Sequence, residues 1–254
     1  MRRASDGVAL TAEQSSAADA GVKGMISVGR PFLDYVLSAL ADAGVVDVVL
    51  VIGPEHGAVR KYFEHTSRPT RVRIHFAEQS EPLGTADAVL AAAKVVGNIP
   101  FLVLNADNYY PVEAFRLLAN LTEAGVVAFD RETLIRDSNI DVERVRTFAI
   151  LDIDDHGRLV GIVEKPGALL DLNAPAMRWV GMNCWRVTPT LVNACRRVSL
   201  SARGEYELPE AVALAVREGV VVRAEKLHAG VFDLSQRTDI SEVASRLSHI
   251  EARP

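Results

Sequence analysis

The chain has 254 residues, of which 49% are hydrophobic, and its 28 Lys and Arg side chains against 33 Asp and Glu give a formal net charge of −5. This composition predicts one large α/β domain with a real hydrophobic core, and the absence of a long basic run argues against nucleic acid as a partner. The two cysteines lack metal-ligand spacing, and no stretch resembles a secretory signal or a membrane span, so we expect a cytoplasmic protein without a membrane partner.

The first half of the chain alternates helices with strands. Pro31, apolar residues spaced three and four apart, and a stop at Gly44 predict an amphipathic helix over residues 31–44. The β-branched run at 45–52 predicts a strand that is covered on both faces. The same alternation continues as a helix near 55–64, a strand near 71–76, a helix near 85–95, a strand at 101–105, a helix from Pro111 to Gly125 and a strand at 126–129. Such an order predicts an α/β fold with a doubly wound, Rossmann-like, mostly parallel sheet.

The second half, from about residue 147, has a mixed α/β pattern. A turn at 154–157 between apolar runs at 147–152 and 159–163 predicts a β-hairpin. The remaining segments are a strand at 180–187, a helix from Pro189, a helix at 208–219, a strand at 220–224 and a helix at 238–249. Because no repeat or linker is present, we predict a single domain over 1–254, with halves at about 21–145 and 146–240.

Asp107 is the first candidate for chemistry. It lies in Asn105-Ala106-Asp107-Asn108, where an apolar strand ends, and ligands of open α/β sheets bind at the carboxyl edge of the strands. An aspartate there can hold Mg²⁺, an ion that takes one or two carboxylates together with substrate phosphates. The alternative is an Asx turn or an N-cap for the helix at Pro111.

The segment from Glu78 to Ala88 leads from a strand into an Ala-rich helix. Gln79 offers both a donor and an acceptor to the edge of a base, and Gly84 would allow the backbone to approach a flat ring closely. Thr85 is a candidate N-cap. The alternative is an ordinary helix start, since Pro-x-Gly-Thr often precedes a helix.

Three more positions carry polar groups in suggestive places. Glu164-Lys165-Pro166 ends the second hairpin strand, where the carboxylate can bind sugar hydroxyls and the ammonium a phosphate. Lys23 has a small neighbour, Gly24, that would leave room for a phosphate, although a solvated lysine is the default expectation. Asp233 is a further carboxylate, for which a helix cap is the alternative.

In this order, the segments from about residue 22 to 240 resemble the sugar-phosphate nucleotidyltransferase family. The stretch Ile26-Ser27-Val28-Gly29-Arg30-Pro31 is similar to the Leu-Pro-Val-Gly-x-x-Pro of that family, which places Lys23 at its Pro-Lys element. The resemblance implies attack by a sugar 1-phosphate oxygen on the α-phosphorus of a nucleoside triphosphate, with pyrophosphate released. It also makes the first half nucleotide-binding and the second half sugar-phosphate-binding.

The resemblance assigns roles to individual residues. Gln79, Pro82, Gly84 and Thr85 would bind the nucleotide, and Glu164, Lys165 and Asn183 would bind the sugar phosphate. Asp107 and Asp233 would hold Mg²⁺ as the cofactor. The catalytic residues would then be Lys23, Asp107 and Lys165, which act by positioning and charge neutralisation.

The chain departs from the family at its N-terminus, because the buried strand and Gly-rich phosphate loop are missing ahead of Lys23. We therefore expect Met1 to be an internal methionine of a longer natural chain, and a chain that begins at Met1 to be poorly active. The alternative from another class is a catalytically silent subunit that binds nucleotide or nucleotide sugar. A Rossmann-type cofactor enzyme lacks its Gly-x-Gly-x-x-Gly fingerprint here. The base, the sugar and the oligomeric state stay open, with a homo-oligomer among the alternatives.

Overall fold

The computed structural model describes residues 22–164 and 178–254. The helices are α1 (Phe32–Asp42), α2 (Gly57–Lys61), α3 (Thr85–Val96), α4 (Val112–Ala119), α5 (Arg131–Asp137), α6 (Val142–Val145), α7 (Pro189–Cys195), α8 (Leu208–Arg217) and α9 (Asp239–Leu247). The strands are β1 (Asp47–Ile52), β2 (Arg73–Glu78), β3 (Phe101–Val103), β4 (Asn108–Tyr109), β5 (Ala124–Asp130), β6 (Ala149–Ile153), β7 (Leu159–Val163), β8 (Trp179–Val187), β9 (Val222–Leu227) and β10 (Phe232–Asp233). None of the helices in the described ranges is both long and apolar enough to cross a bilayer.

The α/β class is confirmed, and the strands form three sheets. β1 and β2 pair in parallel, while β4 and β10 form an antiparallel pair in which Asn108 faces Asp233. The largest sheet has six strands in the order β7-β6-β8-β5-β9, with β3 also beside β8. Within it only β5 and β9 pair in parallel, because β8 runs opposite to both β5 and β3. The parallel pairing that the alternation predicts is therefore confined to two pairs of strands.

Hydrophobic layers cover both faces of the large sheet. Alternate residues of β5 point in opposite directions, as strand geometry requires. Val127 and Phe129 join the core beneath α1, α4 and α9, whereas Val126 and Ala128 join the core beneath α3, α7 and α8. The helix predicted over 31–44 is confirmed, with Pro31 directly before its first residue instead of within it.

Gly125 does not end a helix. It is the second residue of β5, and a Cβ there would lie 2.3 Å from Leu121 Cδ1, so its lack of a side chain lets α4 pack on the strand. The strand predicted at 45–52 is half-buried, not covered on both faces. Among the described residues, β2 is its only strand neighbour. The short elements α5, α6, β4 and β10 were not predicted, since each is too short to show a period.

Candidate functional site

Lys23 and Asp107 meet in an ion pair. Lys23 Nζ lies 2.6 Å from Asp107 Oδ2, and the two side chains are 32% and 19% exposed, so the pair remains accessible to a ligand. Gly24 makes this contact possible, because a Cβ there would lie 3.2 Å from the carbonyl oxygen of Ala106. The small size of Gly24 therefore serves the approach of the 105–108 loop, and the room for a phosphate stays a prediction.

Asp107 does not cap a helix. α4 begins at Val112, with Pro111 in the capping position and no side chain bonded to the first turn. The backbone carbonyl of Asp107 accepts a hydrogen bond of 2.8 Å from Leu234 N–H, which joins the 105–108 loop to the end of β10. The N-cap alternative for Asp107 is thus wrong, and its carboxylate is directed to Lys23.

Asp233 lies beside this ion pair, on β10. Its side chain is 3% exposed, and Oδ1 accepts hydrogen bonds from Asn108 Nδ2 at 3.1 Å and from Ser235 Oγ at 2.7 Å. Asp233 belongs to a strand, and α9 begins six residues later, at Asp239, so the helix-cap alternative is wrong as well. The pairing of β4 with β10 brings Asp233 next to the 105–108 loop.

Arg144 is an essential part of this arrangement that the sequence did not reveal. Its guanidinium lies 2.5 Å from Asp233 Oδ2 and also forms two hydrogen bonds with Asp239, at 2.7 and 2.8 Å. The side chains of Arg144 and Asp239 are 10% and 7% exposed. Asp141 caps α6 by accepting a hydrogen bond from Arg144 N–H, and this local contact says nothing about partners 89 and 95 residues away.

Burial raises the pKa of Asp233 above its usual range, while the Ser235 hydroxyl and the Arg144 guanidinium oppose this shift. The charge of Asp107 also acts to raise it, since β10 pairs with β4 and places Asp233 opposite Asn108, the residue after Asp107. We call Lys23, Asp107, Asp233 and Arg144 the charged centre. A cavity of about 470 Å³ opens beside Asp233 and Arg144, with Phe148 on its wall.

The donor set of the charged centre suits a hard cation. Within residues 22–164 and 178–254, no group of three or more His, Cys, Asp or Glu side chains could hold a metal ion by itself. Two neighbouring carboxylates nevertheless fit Mg²⁺, which keeps several waters and takes the rest of its ligands from substrate phosphates. Asp107 is the accessible one, whereas Asp233 would have to exchange its contact with Arg144.

Gln79 lies directly after β2. Its side-chain amide donates to the Gly84 carbonyl at 3.0 Å and to Asp87 Oδ2 at 2.9 Å. We refer to residues 79–87 as the 79–87 loop. Pro82 is exposed in this loop, and Thr85 is the first residue of α3, with Gly84 in the capping position that was predicted for Thr85.

Gly84 is required by contact with another part of the chain. It has a φ of 110°, and a Cβ there would lie 2.5 Å from the carbonyl oxygen of Tyr206. The lack of a side chain at Gly84 therefore allows the backbone of Tyr206 to approach, and the close approach of a flat ring stays a prediction. Thr85 Oγ1 accepts a hydrogen bond of 2.8 Å from Leu208 N–H, at the first residue of α8.

The partner of the loop is the 205–208 segment, which the sequence analysis missed. Tyr206 N–H donates to the Leu83 carbonyl at 2.7 Å, and Ala86 N–H donates to the Tyr206 carbonyl at 2.8 Å. Together with the Leu208 contact, these hydrogen bonds fix the 79–87 loop against the start of α8. Backbone pairing of this kind has no side-chain signature, so no local pattern of the sequence indicates it.

Glu164 follows β7 and is half-buried, whereas Lys165 lies outside the described residues. The pKa of Arg203 is raised mainly by its hydrogen bond to Glu207, and the charge of Glu164 raises it to a lesser degree. Arg203 bonds Glu207 with both nitrogen atoms of its fork, at 3.1 and 2.6 Å.

Asn183 occupies a β-bulge. Its φ of 54° makes it the only non-glycine residue in the described ranges with a left-handed backbone, and the β5–β8 register shifts beside it. Its Oδ1 accepts from Trp185 Nε1 at 3.3 Å. The Tyr110 hydroxyl donates to the neighbouring Met182 carbonyl at 2.6 Å, and Tyr110 adjoins β4. Such strained positions cluster at functional sites, where surrounding structure holds them.

Comparison with known proteins gives a consistent result. Residues 21–232 match the family model described as Nucleotidyl transferase. The chain is 26% identical over 226 residues to UTP–glucose-1-phosphate uridylyltransferase AglF of Haloferax volcanii, covering 89% of this chain and 87% of that protein. It is 28% identical over 214 residues to glucose-1-phosphate thymidylyltransferase of Streptomyces antibioticus, but covers only 56% of that longer protein. A solved UDP-glucose pyrophosphorylase bound to UDP-glucose shares the fold, with a TM-score of 0.72 at 16% identity over 90% of this chain and 91% of that one.

Proposed function

Because the chain belongs to the nucleotidyl transferase family, we propose that it joins a nucleoside triphosphate to a sugar 1-phosphate and releases pyrophosphate. The observation that carries the proposal is the contact of Lys23 with Asp107 at 2.6 Å, with Asp233 on the adjoining strand. These groups come from three distant parts of the chain. A cation and two carboxylates placed together at a cleft are what binding of a triphosphate with a divalent ion requires.

In the reaction, an oxygen of the sugar phosphate forms a bond to the α-phosphorus while the bond from that phosphorus to the pyrophosphate oxygen breaks. Lys23 would release Asp107 and bind a phosphate oxygen of the nucleotide, which neutralises charge as the pentavalent arrangement forms. Asp107 and Asp233 would hold Mg²⁺, which supplies charge neutralisation and orients the phosphates when bound. No protein group needs to form a covalent bond.

The second substrate would lie between β7, β8 and the charged centre. Glu164 would accept hydrogen bonds from sugar hydroxyls, and Lys165 would pair with the phosphate of the sugar. Asn183, which is half-buried at the bulge of β8, would approach the sugar from that strand. Gln79, Pro82, Gly84 and Thr85 would form the nucleotide side of the site. No observation favours the alternative of a silent regulatory subunit.

The test is pyrophosphate release by the purified chain with Mg²⁺, nucleoside triphosphates and sugar 1-phosphates in all combinations. Turnover should appear with at least one pair, and Asp107→Asn should reduce kcat by about 10²-fold or more, because the metal and Lys23 both lose their partner. Asp155→Asn, in the exposed hairpin turn, is the matched control and should leave kcat unchanged. The proposal is wrong if no pair releases pyrophosphate, or if Asp107→Asn turns over at the parental rate.

A further inference from the structure

The carboxylate of Asp233 has little room for a new ligand. Its Oδ1 accepts hydrogen bonds from Asn108 Nδ2 and Ser235 Oγ, at 3.1 and 2.7 Å, and these bonds use both lone pairs of that oxygen. Its Oδ2 accepts from Arg144 Nη2 at 2.5 Å. A divalent cation that takes Asp233 as a ligand therefore has to bind Oδ2, which is the oxygen that Arg144 holds.

The main chain of Asp233 is held in place as well. Asn139 Nδ2 donates to the Asp233 carbonyl at 2.8 Å, and Asn139 Oδ1 accepts from Asp233 N–H at 2.9 Å. The pairing of β4 with β10 adds a further constraint, since it sets Asp233 opposite Asn108. Because the backbone and Oδ1 are fixed, the group that has to give way to a cation is the guanidinium of Arg144.

Arg144 has a second carboxylate partner, Asp239. Nη1 and Nη2 of Arg144 bind the two oxygens of Asp239 at 2.7 and 2.8 Å, so these two hydrogen bonds would remain if Arg144 released Asp233. Asp239 is itself fixed, because its Oδ2 accepts from Gln236 N–H at 2.7 Å. It also lies in the first turn of α9, where the helix dipole favours a negative charge.

Burial makes this second partner important. The side chains of Arg144 and Asp239 are 10% and 7% exposed, and a buried charge without a partner is strongly unfavourable. If Asp239 carried no charge, Arg144 would depend on Asp233 and would compete with a cation for Oδ2. With the charge of Asp239 present, Arg144 stays paired whether or not Asp233 binds a cation.

We propose that Asp239 is a positioning residue, which keeps Arg144 paired when Asp233 binds a divalent cation and thereby sets the affinity of the charged centre for that cation. The inference rests on the proposed function, which takes Asp107 and Asp233 as the ligands of Mg²⁺. Asp239 acts through Arg144 and touches neither the cation nor a substrate. Its effect should therefore appear in the affinity for the cation and not in the rate at saturation.

Two variants isolate the charge of Asp239. Asp239→Asn keeps the shape of the side chain and an oxygen for Gln236 N–H, but it weakens the hold on Arg144. Glu242→Gln is the matched control, because Glu242 also lies on α9 and lines the same cavity, while its partner is Arg246 at 2.9 Å. A general effect of negative charge in the cavity would appear in both variants, whereas the proposed effect is confined to Asp239→Asn.

The first measurement is Mn²⁺ binding to each protein without substrates, followed by the electron paramagnetic resonance signal of the free ion. Mn²⁺ replaces Mg²⁺ as the probe, since both ions favour oxygen ligands. Asp239→Asn should raise the dissociation constant by about tenfold or more, as is typical when a residue that orients a metal ligand is changed. Glu242→Gln should change it by less than about twofold, because its exposed charge is screened by salt. Asp107→Asn should weaken binding, which identifies the charged centre as the site.

The second measurement is the rate of pyrophosphate release at increasing Mg²⁺, with both substrates saturating. In Asp239→Asn, the Mg²⁺ concentration at half-maximal rate should rise by about tenfold or more, while kcat at saturating Mg²⁺ should stay within about twofold of the parent. A purely structural role would instead lower kcat or the melting temperature and leave the Mn²⁺ dissociation constant unchanged.

The outcomes separate this inference from the proposed function. If Asp239→Asn binds Mn²⁺ as tightly as the parent, or if Glu242→Gln changes binding equally, the role of Asp239 is overturned and the proposed function stands. If the parent binds no Mn²⁺, or if Asp107→Asn does not weaken binding, the metal assignment and this inference fail together. If the parent releases no pyrophosphate, the proposed reaction fails, and the Mn²⁺ titration still decides the role of Asp239.

Discussion

The charged centre and the 79–87 loop are held together by different forces. In the charged centre, Lys23, Asp107, Asp233 and Arg144 are joined mainly through ionised side chains. The 79–87 loop is instead joined to the 205–208 segment through backbone groups at 2.7 and 2.8 Å. Side-chain ion pairs can exchange partners when a charged ligand arrives, whereas backbone pairing keeps its shape. The comparison indicates that the charged centre can exchange contacts, whereas the 79–87 loop keeps a fixed conformation.

The largest effect is expected from Arg144→Ala. It would leave Asp233 and Asp239 buried without their cation, at a cost of about 3–5 kcal/mol in the free energy of unfolding. Arg158→Ala, which removes an exposed ion pair with Asp154, should cost about 0–1 kcal/mol. Urea denaturation of both variants measures the difference. A loss below about 1 kcal/mol for Arg144→Ala would show that the charged centre does not depend on this ion pair.

Lys23→Met should act on catalysis and not on folding. Its contact with Asp107 is partly exposed, so stability should change by about 0–1 kcal/mol. Loss of a cation that neutralises phosphate charge should lower kcat by about 10²–10³-fold. Steady-state rates and a denaturation curve on the same preparation check both statements. A stable variant with parental kcat would remove Lys23 from the mechanism.

Gly84→Ala tests whether the 79–87 loop keeps a fixed conformation. The new Cβ would meet the Tyr206 backbone at 2.5 Å and would also stand at a φ of 110°. Gly44→Ala provides the control, because Gly44 has a φ of 87° and nothing within 4 Å of its Cβ position. We expect Gly44→Ala to lower the free energy of unfolding by about 1 kcal/mol, and Gly84→Ala to lower it by about 1–3 kcal/mol more. Equal losses of stability in the two variants would mean that the 205–208 segment moves away from the new methyl group at little cost.

The smallest expected effect is a change of stability with pH that depends on Asp130, an acid outside the charged centre and the 79–87 loop. Burial acts to raise its pKa, but hydrogen bonds from Thr133 and Arg178 outweigh this and lower it from 3.8 to about 2. A depressed pKa in the folded protein contributes stability above the unfolded value, and that contribution is lost as the pH falls from about 4 to about 2. Asp130→Asn keeps the cap of α5 but cannot ionise.

Melting temperatures of the parent and of Asp130→Asn, measured from pH 6 to pH 2, test this expectation. The parent should be more stable at the upper end, by about 1 kcal/mol, and the two curves should meet near the lower end. A constant difference across the range would assign the effect to packing and not to ionisation.

The local patterns of the chain were sufficient for most helices and for the hairpin. α1, α3 and α8 follow from apolar spacing, and β6 and β7 follow from two apolar runs around a turn. The prediction at Gly125 was wrong for a physical reason. A glycine after an apolar helix often ends that helix, and the sequence therefore predicts a helix end at Gly125. In the structure Gly125 lies in β5, and the side chain of Leu121 packs against it. The environment of a glycine is set by neighbours that local sequence does not show.

The sequence by itself determined the fold class, the family resemblance and the positions of Lys23, Gln79, Asp107, Asn183 and Asp233, because motif residues and strand ends are local features of the chain. Only the tertiary structure decided which of these residues meet and what else holds them. Arg144 reaches Asp233 across 89 residues, and Tyr206 reaches the loop at Gly84 through backbone atoms alone. Contacts between distant segments depend on how the sheets pack, and that arrangement is a property of the folded core as a whole.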